Sequence, residues 1–308
     1  MLAEQRPISV SPCLVGSRVA IVAPAGPVSE QRLERGCDLL RSLGLEPFVG
    51  RHVLGPAHRY LAAEDRQRAA DLEEAWLDPD IHAVLCARGG YGSARLLEIV
   101  DWAKLADATA GRPPKPFVGS SDITVLHQAF ALHLGIRTFY GPAVAGSILG
   151  EPDPCQRTVD SLAAAMLHPD EPAELSGGTC LVPGTAGGVL TGGTLTMICS
   201  LAGTPELRSA AGAIVVLEDV RESPYKIDRM LTQLIRSGWF DGVRAVACGS
   251  WTACGTVEQV NDVLLERLGG LKVPVATGLD FGHGTTQLTV PLGRHAELNA
   301  TSGVLKAI

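Results

Sequence analysis

Apolar positions along this chain fall into two rhythms. Short unalternated runs at residues 18–23, 82–87, 117–118 and 137–140 read as strands buried on both faces. Between them the apolar residues recur three and four apart, as on one side of a helix. Ser29 is placed to cap a helix carrying Leu33, Cys37, Leu40 and Leu43, with Gly44 closing it. A charge-rich helix covers residues 64–77, and Arg88-Gly89-Gly90-Tyr91-Gly92-Ser93 turns the next strand into another helix. After Phe117-Val118-Gly119 a helix presents Ile123, Leu126, Phe130 and Leu134 on one stripe, with Gly135 beyond it. Strands of this kind separated by amphipathic helices predict a parallel sheet covered on both faces, over residues 1–150.

The pattern breaks at Glu151-Pro152-Asp153-Pro154 and again at His168-Pro169-Asp170-Glu171-Pro172, around a short apolar helix at 159–167. Residues 151–176 therefore read as a linker. Beyond it come glycine-rich strands at 187–195 and an apolar strand at 213–217. Ser223-Pro224 opens a helix with Ile227, Met230, Leu231, Leu234 and Ile235 inside, and a capping box, Thr256-Val257-Glu258-Gln259, opens another. Residues 177–308 form a second, mixed α/β domain in this reading.

Composition narrows the function. The 308 residues are 46% hydrophobic and 19% charged, with a formal charge of −7 and no basic run. This argues against nucleic acid or an anionic membrane as a partner. No apolar stretch approaches the roughly 18 residues of a membrane span, and the first residues carry no secretory-leader pattern. The eight cysteines form no CxxC pair, and neither they nor the eight histidines show metal-ligand spacing. A reduced cytoplasmic protein without a metal or other cofactor is the expectation.

The candidate chemistry lies at strand ends. Gly119-Ser120-Ser121-Asp122 sets a serine on a strand-to-helix corner, where unpaired helix N–H groups can meet a developing negative charge. The same Ser-Ser-Asp also makes an ordinary helix cap. A serine nucleophile needs a base and a group to orient it. Among the histidines, His127 and His133 lie within the helix after Ser121, and His52, His58, His82, His168 and His295 have no special setting. His283 sits in a glycine-flanked turn, Gly282-His283-Gly284. Glu218 ends the apolar strand 213–217; Asp219 beside it competes, but alternation along a strand lets only one of the two face a site.

In combination the motifs are recognisable. Arg88-Gly89-Gly90-Tyr91-Gly92, Gly119-Ser120-Ser121-Asp122, Val216-Leu217-Glu218-Asp219, Tyr225-Lys226-Ile227-Asp228-Arg229-Met230-Leu231 and Thr277-Gly278-Leu279-Asp280-Phe281-Gly282-His283 occur in this order. The chain resembles the serine LD-carboxypeptidases, the family of murein tetrapeptide carboxypeptidase and the microcin C self-immunity peptidase. The resemblance implies a Rossmann-like (flavodoxin-like) parallel-sheet N-terminal domain, a mixed α/β C-terminal domain, and a site between the two. It also implies a catalytic triad of Ser121, Glu218 and His283, an oxyanion hole from the amides of Asp122 and Gly90, a murein tetrapeptide as substrate, and a homodimer. Arg88 and Tyr91 border that site. Ser120 stands where relatives often carry an aromatic residue or histidine, which bears on substrate preference.

Four rivals are set against this. A peptide-nucleotide hydrolase would share the family and its triad. A nucleotide-binding oxidoreductase would need the third glycine of GxGxxG after Gly90-Tyr91-Gly92, and it is missing. An α/β-hydrolase esterase would need glycine where Ile123 stands. A ligand-binding relative without catalysis would not need all three triad residues.

Overall fold

The computed structural model describes residues 9–308, which divide into two compact units between Glu171 and Pro172. In the first unit the order is β1 (Arg18–Val22), α1 (Glu30–Ser42), β2 (Glu46–Val49), α2 (Asp65–Leu77), β3 (Ile81–Cys86), α3 (Trp102–Thr109), β4 (Phe117–Gly119), α4 (Thr124–His133), β5 (Thr138–Tyr140) and α5 (Gln156–Leu167). Its strands lie in the order β2-β1-β3-β4-β5, and every pair is parallel. This is the flavodoxin-like arrangement, with its reversal of strand order between β1 and β3. Val19, Ile21, Val22 and the whole of β4 have no more than a trace of exposed surface, as strands covered on both faces require.

The apolar periodicity maps onto the helices that fill this core. Leu33, Cys37 and Leu40 of α1 are buried, and Thr124 through Phe130 of α4 are buried without a break. Phe130 packs against Phe117, Trp76 and Trp102, with ring centroids 4.5, 4.8 and 5.5 Å away. The helix expected after Gly92 is only one 3₁₀ turn, Ser93–Leu96. The true helix start is Asp101, whose carboxylate accepts the Lys104 N–H at 3.0 Å. The segment read as a linker contains α5, whose Val159, Leu162 and Met166 join the first unit's core. Prolines flank that helix, but its apolar stripe has a place to go.

The second unit runs β6 (Ala173–Leu175), β7 (Thr179–Val182), β8 (Thr185–Thr194), α6 (Leu195–Ser200), β9 (Ala213–Val220), α7 (Pro224–Arg236), β10 (Ala245–Thr252), α8 (Val257–Leu268), β11 (Val275–Thr277), β12 (Val290–Leu292), β13 (His295–Asn299) and β14 (Val304–Ala307). Its eight-stranded sheet has the order β6-β14-β13-β8-β9-β10-β11-β7. The central strands β8, β9, β10 and β11 are parallel, and the flanking pairs are antiparallel. Helices α7 and α8 bury Ile227, Leu231, Leu234, Val260 and Leu264 in the core beside β9 and β10. The Thr256–Gln259 capping box forms in both directions. Among the described residues, no helix is long and apolar enough to cross a membrane.

Phe130 has no exposed surface and touches three aromatic rings. Phe130→Ala should therefore cost about 3–5 kcal/mol of stability, read from denaturant unfolding. A loss under about 1 kcal/mol would mean that this cluster does not hold α4 to the sheet.

Candidate active site

Ser121 stands directly beyond the carboxyl end of β4, in a 3₁₀ turn (Ser121–Ile123) that leads into α4. Ser120 is still extended, and the chain turns at Ser121, whose φ of 63° lies in the left-handed region. For a residue with a side chain this conformation costs of order 1–3 kcal/mol and persists only where the surroundings hold it. The corner is held from several sides. The Ser121 N–H donates to the Tyr140 hydroxyl at 3.2 Å. The Ser120 carbonyl accepts the Ile123 N–H at 3.2 Å. Gly119 is packed so closely that a Cβ there would lie 2.8 Å from the Ile123 side chain.

The glycine turn after β3 lies against this corner. A Cβ on Gly89 would come within 2.7 Å of Ser121 Cβ and 3.1 Å of Ser121 Oγ, so only glycine lets the turn approach the hydroxyl this closely. Gly90 follows with φ 114°. Asp122, 2% exposed, ties the two turns together: its Oδ2 accepts the Ser93 N–H at 2.7 Å. Burial pushes the Asp122 carboxyl upward, opposed by the hydrogen bonds from Ser93 and the charge of Arg68. Arg68 is itself buried. Its guanidinium donates to the carbonyls of Pro24 and Gly92, to Ala63 O at 3.2 Å, and to Asp65 at 2.5 Å. One cation therefore fixes the loop after β1, the approach to α2 and the end of the glycine turn. Tyr91 is half exposed with its ring edge-on to Tyr60 at 5.3 Å, and Arg88 donates to the Pro27 carbonyl at 2.9 Å.

In the second unit Glu218 and His283 are brought together. Glu218 ends the apolar run of β9 and has no exposed surface. Its Oε2 accepts both the His283 backbone N–H at 3.0 Å and the ring Nδ1 at 2.7 Å. Its Oε1 accepts the Thr194 hydroxyl at 2.6 Å, from the residue opposite Glu218 in the β8–β9 ladder. A carboxylate only accepts, so Nδ1 carries the proton and Nε2 is left with a lone pair. Burial works against the imidazolium, but the hydrogen bond and charge of Glu218, with the charge of Asp219, outweigh it and raise His283 above its ordinary value. Asp219 points elsewhere, as alternation requires. It accepts from the Thr196 N–H and hydroxyl, both at 2.8 Å, and burial pushes it up to about 6.

Gly282 makes the contact possible. Its φ is 93°, and a Cβ there would sit 2.4 Å from Glu218 Oε2. Thr194, Tyr140 and Arg68 escape sequence reasoning, because each acts on a partner distant in the chain. The two glycines before Thr194 are the one signal for a close strand approach there.

Comparison with known proteins decides the family. Residues 19–141 match the LD-carboxypeptidase N-terminal domain, and residues 187–298 match the LD-carboxypeptidase C-terminal domain. The chain belongs to the LD-carboxypeptidase family. It is 48% identical over 304 residues to a putative carboxypeptidase of Streptomyces coelicolor, covering 97% of this chain and 95% of that one. It is 37% identical over 298 residues to the murein tetrapeptide carboxypeptidase of Pseudomonas aeruginosa, covering 92% and 94%. The crystal structure of muramoyltetrapeptide carboxypeptidase from Oxalobacter formigenes superposes with a TM-score of 0.83 at 33% identity, covering 94% of this chain and 97% of that one. The chain is accordingly a serine carboxypeptidase of this family. The oxidoreductase alternative also loses its structural footing: the glycine turn runs into a 3₁₀ turn, without the α-helix on which a dinucleotide pyrophosphate rests.

The Gly282 contact yields a direct test. Gly282→Ala should push Glu218 off His283, so the His283 imidazole, followed by NMR titration, should lose its raised pKa. An unchanged titration would show that the close approach does not support the pair.

Proposed function

We propose that the chain hydrolyses the amide between the L-configured centre of meso-diaminopimelate and the terminal D-alanine of murein tetrapeptide, as a step in peptidoglycan recycling. The observation that carries the chemistry is the oriented imidazole: Glu218 accepts the hydrogen bond from Nδ1–H, which keeps the proton on Nδ1 and leaves the His283 Nε2 lone pair to act as a base. In this reading Ser121 Oγ attacks the amide carbonyl carbon while Nε2 takes its proton. The carbonyl oxygen becomes an oxyanion bound by the amides of Asp122 and Gly90, a contribution of roughly 3–4 kcal/mol for one donor. The C–N bond then breaks, the imidazolium gives its proton to the departing D-alanine amine, and an acyl-enzyme remains on Ser121. Water, deprotonated by the same imidazole, releases it. No metal enters these steps.

The glycine-backed left-handed corner supports Ser121 over Ser120 as the nucleophile, since Ser121 is the residue whose hydroxyl meets the Gly89 turn. The substrate follows the murein tetrapeptide carboxypeptidase that the chain resembles over nearly its whole length. The proposed setting is the cytoplasm, supported by eight cysteines that are all free thiols. A homodimer is carried over from the family resemblance.

Incubation with murein tetrapeptide should release one alanine by mass. Ser121→Ala should abolish this in a folded protein, whereas Ser120→Ala should shift substrate handling. The reverse result would move the nucleophile to Ser120. Cleavage of a peptide-nucleotide conjugate with no attack on tetrapeptide would favour the other branch of the family.

The raised His283 value sets the pH dependence. Neutral imidazole is the active form, so kcat/KM should fall as pH drops through a limb centred above about 6.5. Glu218→Gln removes the charge that favours imidazolium, so the limb should move to lower pH while turnover drops. A limb that stays in place in Glu218→Gln would mean that another group is the base.

A further inference from the structure

Three polar side chains around the β4–α4 corner have no part in the proposed chemistry, and one of them touches the nucleophile's own backbone. β5 runs parallel to β4 with Tyr140 level with Gly119, two residues before Ser121. The strand backbones are joined there by the Gly141 N–H donating to the Gly119 carbonyl at 3.1 Å. From that position the Tyr140 phenol, 1% exposed, reaches past the strand end and accepts the Ser121 N–H at 3.2 Å. The amide it meets is one of those a helix start leaves without an intrahelical acceptor. The phenol thus caps the turn from a neighbouring strand, at the residue whose φ of 63° most needs holding.

His127 stiffens the same corner from below. It is 1% exposed, with Nε2 2.9 Å from the Gly119 carbonyl and Nδ1 2.8 Å from the Thr138 hydroxyl. A carbonyl only accepts, so Nε2 carries the proton and Nδ1 takes the Thr138 O–H. Burial pushes this imidazole down to about 4, which keeps it neutral and fixed in that tautomer at working pH. The carbonyl two residues before Ser121 and the amide of Ser121 itself are both engaged by the protein.

We infer that Tyr140 is a positioning residue for the nucleophile: its hydroxyl occupies the Ser121 N–H, holds Ser121 left-handed, and so leaves the Asp122 amide as the corner's donor to the oxyanion. The inference rests on Ser121 as the nucleophile. Binding of the substrate ground state does not require this hydrogen bond, whereas aiming Oγ and the Asp122 amide at the carbonyl does.

Tyr140→Phe keeps the ring and removes the hydroxyl that accepts the Ser121 N–H. With murein tetrapeptide as substrate, kcat should fall about tenfold, KM should stay within about twofold, and the His283 limb should not move. Wild-type kcat in the folded variant would overturn the inference, and so would a change confined to KM. If the variant does not fold, hydrogen exchange at the Ser121 amide of the wild-type enzyme decides. Exchange slowed well below a free amide upholds the hydrogen bond, and exchange at the free rate refutes it. A wild-type enzyme that releases no D-alanine would instead fail the tetrapeptide reading, a result distinct from either, and the hydrogen exchange of the Ser121 amide would then decide the inference.

Discussion

A carboxylate with no exposed surface is costly to bury unless each of its oxygens is engaged. Glu218 meets that demand with the Thr194 hydroxyl on one oxygen and the backbone and ring of His283 on the other. Much of the second unit follows from satisfying it. Thr194 can donate only because β8 and β9 run in a register that sets it opposite Glu218. His283 can close on the same carboxylate only because Gly282 leaves no Cβ in the way. The same contacts fix the imidazole tautomer, so the geometry that makes the burial tolerable also leaves the lone pair on Nε2, as the proposed base requires.

The first unit solves a different problem, that of keeping a serine in a backbone conformation that serine disfavours. Ser121 is held by the phenol of Tyr140 in front, by Gly119 and His127 beneath, and by the Gly89 turn alongside. The turn is in turn pinned by Asp122 and by Arg68, whose buried charge is spread over three carbonyls and Asp65. These contacts gather at the carboxyl ends of β1, β3 and β4, where an open parallel sheet leaves loop backbone free to be shaped.

Much of this was legible in the amino-acid order. Unalternated apolar strands and 3.6-residue stripes pointed to the parallel sheet, and glycines beside Ser121 and His283 marked the turns. The apolar helix around 159–167 is legible as a helix, but the prolines around it signal a break, whereas the packing of Val159, Leu162 and Met166 into the first unit depends on a surface elsewhere in the chain. Tyr140 looked like any strand-end aromatic, and Arg68 like any charge on a polar helix. Their roles come from partners 19 and up to 44 residues away, which no local pattern encodes.

The central claim is that the protein reacts through Ser121 Oγ. It is tested most directly by inactivating the enzyme with a phosphonate analogue of a diaminopimelyl-D-alanine end and locating the adduct by tandem mass spectrometry. A single covalent adduct on Ser121, lost in His283→Ala, is the result expected. An adduct on Ser120 or on a residue outside the β4–α4 corner, or inactivation with no covalent bond, would contradict the account.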